Sequence, residues 1–162
     1  FARIYIAAGQ MEKGKQLMQK SLKNCVEDLA FDTFREGVPP REDANMYGLQ
    51  SLFMLARSDA KDNQLAATIA DKLYDFHRKI LEYYMRNDVA SMETVARSEG
   101  SVWYSLFLFY RNDLKDLKKA ELIAGDWQAL TGDKTMMDEL KQGSSPAIED
   151  LPPAPGAALQ LP

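Results

Sequence analysis

His77 is the single histidine of this chain and Cys25 its single cysteine. The residue types that most often perform chemistry are therefore sparse. His77, with Asp75 close by in sequence, could serve as a general base or a metal ligand. Zinc sites need three or four converging ligands, and no second His or Cys motif stands beside it. His77 is expected to be a surface or half-buried structural residue. A reactive thiol needs a cationic, exposed setting. Cys25 falls instead on the apolar face of its helix, and is expected to act as a small buried hydrophobe. A lone cysteine forms no internal disulfide.

Paired carboxylates occur at Glu27/Asp28, Glu42/Asp43 and Glu149/Asp150. General acid–base work needs two carboxyls in different environments of one cleft. Neighbours on a helix point in different directions, so these pairs do not qualify. Glu42/Asp43 suits the positive end of a helix dipole. Gly9 and Gly14 make no phosphate loop, because no Lys-Ser/Thr pair follows them. No catalytic, cofactor-binding or metal-binding residue is expected. The group Trp103, Tyr104, Phe107, Phe109, Tyr110 and Trp127 has helical spacing and is expected to be core. Its alternative use is to line the pocket of a small helical ligand-binding domain or enzyme.

The elements that would position these residues all read as helices. Residues 1–8 end a first helix, with Gly9 at its exit. A second runs from Met11 to Phe34 with apolar residues at Leu17, Met18, Leu22, Cys25, Val26 and Leu29. Gly37-Val38-Pro39-Pro40 breaks the chain. A third helix starts near Pro40 or Arg41 and ends near Arg57. A fourth, from Asn63 to Arg86, carries the stripe Leu65, Ile69, Leu73, Phe76, Ile80 and Tyr84. A fifth is expected from Ser91 to Arg111. A sixth starts near Asp113–Asp116, with Leu114, Leu117, Leu122, Ile123, Trp127 and Leu130 on its core face. Thr135 to Lys141 forms a short closing helix ending at Gly143. Two regions follow: a helical-hairpin domain at 1–143, and a Pro/Ala-rich extended tail at 144–162.

The pattern Tyr5-x3-Gly9-x4-Gly14-x3-Met18-x2-Ser21-Leu22 resembles the tetratricopeptide repeat. Gly14 and Ser21 stand at its small positions and Met18 at its large one. Val26 replaces the proline that commonly ends the repeat. The turns near Gly9, Ser58–Asp62 and Asn112 recur about every 50 residues, against about 34 in that family's consensus. The implied fold is all-α: antiparallel helical hairpins in a short, stretched, right-handed tetratricopeptide-like stack, with the extended tail beyond. More weakly, the helix order and the segment Ile80-Leu81-Glu82-Tyr83-Tyr84 resemble the C-terminal soluble region of a bacterial multi-pass membrane family. That family has an O-mannosyltransferase-like (GT-C type) N-terminal half. The resemblance implies a periplasmic or membrane-attached setting; without it, a cytoplasmic one is expected. Transferase chemistry would lie outside this chain. Phe1-Ala2-Arg3-Ile4-Tyr5 reads as the middle of a helix with no cap before it, which fits a fragment of a longer protein.

In helical repeats the first helix of each hairpin lines the concave face. That places Asn45, Tyr47, Gln50 and Ser51, then Arg97, Tyr104 and Tyr110, where an extended peptide could lie. The tail could fill the same groove as a built-in ligand. The formal net charge of −4 argues against a nucleic-acid partner, which needs a basic face. A protein or peptide partner is expected, with any membrane contact made through an upstream region. The expected role is a non-catalytic interaction or scaffold domain.

Overall fold

Gly9 adopts φ +77°, a conformation costly for other residues, and ends the first helix as expected. The computed structural model describes residues 1–32, 44–87 and 89–143, and their side chains except at 28–32, 44–45 and 89–92. Its helices are α1 (Ala2–Ala7), α2 (Met11–Asp32), α3 (Ala44–Met54), α4 (Asn63–Asn87), α5 (Val89–Leu108), α6 (Leu117–Thr131) and α7 (Thr135–Lys141). Two π-helical turns, Leu55–Asp59 and Phe109–Asp113, extend α3 and α5. There is no strand among the described residues, and the fold is all-α. The expected end of α2, start of α3 and tail at 144–162 lie outside the described residues. Helix α5 starts at Val89, ahead of the expected Ser91.

Each helix packs on the next in the chain, and α4 also touches α6. Helix α4 runs antiparallel to α5, because Tyr74 meets Trp103 while the earlier Asp71 meets the later Tyr110. The core is continuous from Met18 on α2, through Met46 and Leu49 on α3 and Ile69 and Leu73 on α4, to Trp103, Phe107 and Ile123. Phe53 meets Phe109 edge-on at 5.1 Å between ring centres, joining α3 to the π turn after α5.

Close approach explains the small residues. A Cβ on Gly14 would lie 2.5 Å from Ile6 Cγ1, so only glycine lets α1 and α2 meet there. A Cβ on Gly48 would lie 3.2 Å from Cys25 Sγ. Cys25 thus fills the contact between α2 and α3, half-buried. Ser21, expected at a second small packing position, is exposed. Leu117 and Leu122, expected in the core, are also exposed. Ile123 and Trp127 are buried as expected, and Ala120 and Ala124 complete the buried face of α6.

The exits of α3 and α5 are built alike. Ala60 N–H donates to Leu55 O at 2.9 Å, and Leu114 N–H to Phe109 O at 3.1 Å. Lys61 (φ 48°) and Lys115 (φ 58°) follow in the left-handed region. Asp62 then caps α4 by accepting from Leu65 N–H, and Asp116 caps α6 by accepting from Lys119 N–H, both at 3.0 Å. The sequence repeats with them: Arg57-Ser58-Asp59-Ala60-Lys61-Asp62 aligns with Arg111-Asn112-Asp113-Leu114-Lys115-Asp116. Arg57 pairs with Asp113 across the two hairpins. Arg3 pairs with Asp59 one hairpin earlier. Arg111 finds Glu139 of α7 at 2.9 Å and Gly143 O at 3.2 Å.

Candidate functional site

Helix α3 presents Tyr47, Gln50, Ser51 and Met54 along one face, at helical spacing. With Arg3, Leu55, Ser58 and Asp59 they line a groove of about 720 Å³. Gln50 and Met54 also line a second hollow of about 180 Å³, completed by Phe53, Leu73, Ser101, Val102, Ser105 and Leu106. The two hollows share these residues and together cross α1, α3 and α5. Tyr47 and Met54 are 54% and 50% exposed, so large apolar side chains stand in the open on the groove's wall. Its charged residues are Arg3 and Asp59, which pair at 3.6 Å.

Of the residues expected to form a peptide groove, Tyr47, Gln50 and Ser51 come together. Asn45 belongs to α3, but its side chain lies outside the described residues. Arg97 is exposed on α5 and bonds Glu93 one turn earlier at 3.0 Å. Tyr104 turns toward α7, where its hydroxyl donates to Glu139 at 2.6 Å. That bond is the chief reason its phenol pKa is raised. Tyr110 is buried in the core, and its hydroxyl donates to Asp71 at 2.8 Å. It stands four residues after Leu106 and seven after Trp103, which is the core stripe of α5. Burial first, and the Asp71 bond second, push its phenol above the ordinary range. Tyr74 is shifted the same way by burial and by Asp126. Trp103 and Trp127 pack with ring centres 5.5 Å apart; Trp103, Phe107 and Phe109 are fully buried.

Beneath the groove lies a polar chain that sequence reasoning missed. His77 is 0% exposed and Glu99 1% exposed, which corrects the expected surface or half-buried histidine. His77 Nδ1 bonds Glu99 Oε2, and His77 Nε2 faces Gln50 Nε2 at 3.5 Å. The burial follows from position: His77 comes four residues after Leu73 and four before Leu81, both buried. Glu99 likewise falls four residues after Val95 and four before Trp103. A histidine and a glutamate on facing apolar stripes were the available signal, since a buried charge needs a partner.

No group of three or more His, Cys, Asp or Glu among the described residues is placed to hold a metal ion. No described helix is long and apolar enough to cross a membrane. A scan against protein-family models and searches of curated proteins and of solved structures each found no match.

Proposed function

We propose that this chain is a protein-interaction scaffold. It holds an extended peptide segment of a partner protein in the groove over α1, α3 and α5 and performs no catalysis. The observation that carries the reading is the two neighbouring hollows that share Gln50 and Met54 in their walls, with exposed Tyr47 as an apolar anchor. Extended peptides bind such surfaces through apolar anchors flanked by polar groups that meet the backbone. Ser51, Ser58, Ser101 and Ser105 are those flanking groups here.

On this reading the hairpins form a tetratricopeptide-like right-handed stack. Support comes from the successive packing of neighbours, the glycine contact at Gly14 and the repeated exits of α3 and α5. Helix α7 closes the array by supplying Glu139 to Arg111. The scaffold would serve a larger, membrane-anchored, glycosyltransferase-like bacterial protein, a proposal that rests on the helix-order resemblance alone.

Peptides selected from a random displayed library against the full chain test the groove. Fluorescence anisotropy should give a Kd that rises about tenfold or more in Tyr47→Ala/Met54→Ala, the loss expected for two anchor side chains. A Kd unchanged by that double substitution removes the groove as the binding site.

A further inference from the structure

Arg3, Arg57 and Arg111 stand 54 residues apart, and so do Asp59 and Asp113. Buried positions keep the same interval: Phe53 and Phe107, Ile69 and Ile123, Leu73 and Trp127. Hairpin α5–α6 thus repeats hairpin α3–α4 residue by residue. In the later hairpin, α3 lies on α5. Gln50, Phe53 and Met54 line one hollow with Ser101 and Ser105, Phe53 meets Phe109, and Arg57 pairs with Asp113. In the earlier hairpin the last of these contacts recurs, Arg3 on Asp59 at 3.6 Å. Helix α1 spans Ala2–Ala7, which is the counterpart of residues 56–61, around the π turn, and not of α3 itself. The positions equivalent to Gln50, Phe53 and Met54 fall ahead of Phe1. Exposure follows from this. Phe109 and Leu106 are buried, while their counterparts Leu55 and Leu52 are half-buried. Ser105 and Leu108 are half-buried, while Ser51 and Met54 are exposed. So α3 covers α5, and the same side of α3 is left open as the hollow of about 720 Å³.

We propose that this wall of α3, formed by Tyr47, Ser51, Met54 and Leu55, is the berth of an amphipathic α-helix from a partner protein, laid on α3 in line with α1 as α3 is laid on α5. This rests on the interaction reading above and gives the bound segment a helical form where it crosses α3. The interface continues one that the fold already makes, since Arg3 on Asp59 is its first rung. A helix satisfies its own backbone hydrogen bonds. Such a berth therefore needs shape and apolar contact, which Tyr47, Met54 and Leu55 supply. From Tyr47 to Leu55 the wall is about 12 Å long, so a helix of about two to three turns spans it. The charges of the hollow, Arg3 and Asp59, pair with each other. The helix should therefore turn an uncharged face inward, with apolar side chains three and four residues apart. A second copy of this chain fits less well, because α2, α3, α4, α5 and α6 already bury their apolar faces in the shared core.

A displayed library of unconstrained random peptides, selected against the full chain, tests this. Each binder is scanned with alanine, and affinities are read by fluorescence anisotropy. Losses of about tenfold or more are expected at positions three or four apart. The same binder should lose about tenfold or more against Tyr47→Ala/Met54→Ala. Ser51→Arg should abolish binding, because Ser51 is exposed and arginine there fits the folded chain but stands in the path of the helix. Losses at alternate positions, with the same dependence on Tyr47 and Met54, show an extended occupant. They overturn this proposal and leave the interaction reading standing. Binders indifferent to Tyr47→Ala/Met54→Ala, or no binder at all, overturn both. Self-association of the free chain in sedimentation, abolished by the same double substitution, makes a second copy the occupant and overturns the partner helix.

Discussion

Arg57 on the π turn after α3 donates from Nε to Asp113 on the π turn after α5, and the counterparts of both residues are ion-paired as well. Asp59, the counterpart of Asp113, receives Arg3; Arg111, the counterpart of Arg57, donates to Glu139. The two side chains are 28% and 29% exposed, between the surface limit, where ion pairs add little, and the buried one. Arg57 also lies 5.7 Å from the Phe109 ring centre, which adds a cation–π component. Asp113→Ala should cost about 1 kcal/mol and lower Tm by about 2–4 °C. A double-mutant cycle with Arg57→Ala should return a coupling of about 0.5–1 kcal/mol that shrinks in high salt. A coupling near zero would make the repeat a relic of sequence rather than a clamp between hairpins.

The same substitution at two helical glycines should have opposite signs. Gly125 has nothing within 4 Å of a built Cβ, and alanine there should stabilise by up to about 1 kcal/mol through helix propensity. Gly14→Ala gains the same propensity but drives its methyl into Ile6 and toward Ala2 O. Overpacking costs about 1–3 kcal/mol, so the net should be destabilising. Adding Ile6→Ala should recover part of the loss by urea denaturation; no recovery would place the strain in the backbone.

What the sequence showed well were features with a helical period. The order of the hairpins, the start of α2, the start of α4 and both ends of α7 match their expected positions, because apolar stripes and breakers encode them locally. Tyr47, Gln50 and Ser51 share a groove because the exposed face of α3 was readable from the same stripe. Tyr110 lies on a hairpin's first helix, which the concave-face rule assigns to the groove, but its helical spacing from Leu106 and Trp103 puts it in the core. The π turns leave no mark in the apolar spacing. The Arg-x-Asp-x-Lys-Asp repeat was present in plain sequence but is polar, and a search for apolar spacing passes over it.

Acid should destabilise the fold from about pH 4 downward. Leu65 N–H, and then Lys15, hold Asp62 below the ordinary carboxylate range. The Thr135 hydroxyl and the Trp127 indole do the same for Asp133. A carboxyl with a depressed folded pKa adds stability above its unfolded value, and that stability is lost as pH falls through the folded one. Asp133→Asn should flatten part of the acid slope, followed by the fluorescence of Trp127. At the alkaline end the sign reverses. Tyr74 and Tyr110 are raised, so their contribution holds below about pH 10 and is lost as pH climbs past it. Phenolate absorbance should show both tyrosines ionising only together with unfolding; titration of every tyrosine in the folded state would contradict their burial.

The buried His77–Glu99 pair should be costly to break and cheap to replace. Glu99→Ala leaves His77 Nδ1 without its polar partner in a site 0% exposed, and should cost about 3 kcal/mol or more. His77→Leu leaves Glu99 buried alone and should cost as much. The double variant His77→Leu/Glu99→Leu removes both polar groups, keeps similar volume, and adds apolar contact to Leu73, Leu81 and Trp103. It should lie within about 1 kcal/mol of the original protein or exceed it. Urea midpoints of the four proteins check this. If the double variant is as unstable as the worse single one, the pair is a net contributor to the fold and its polarity needs no further purpose. If the double variant is stable, the pair is not kept for stability.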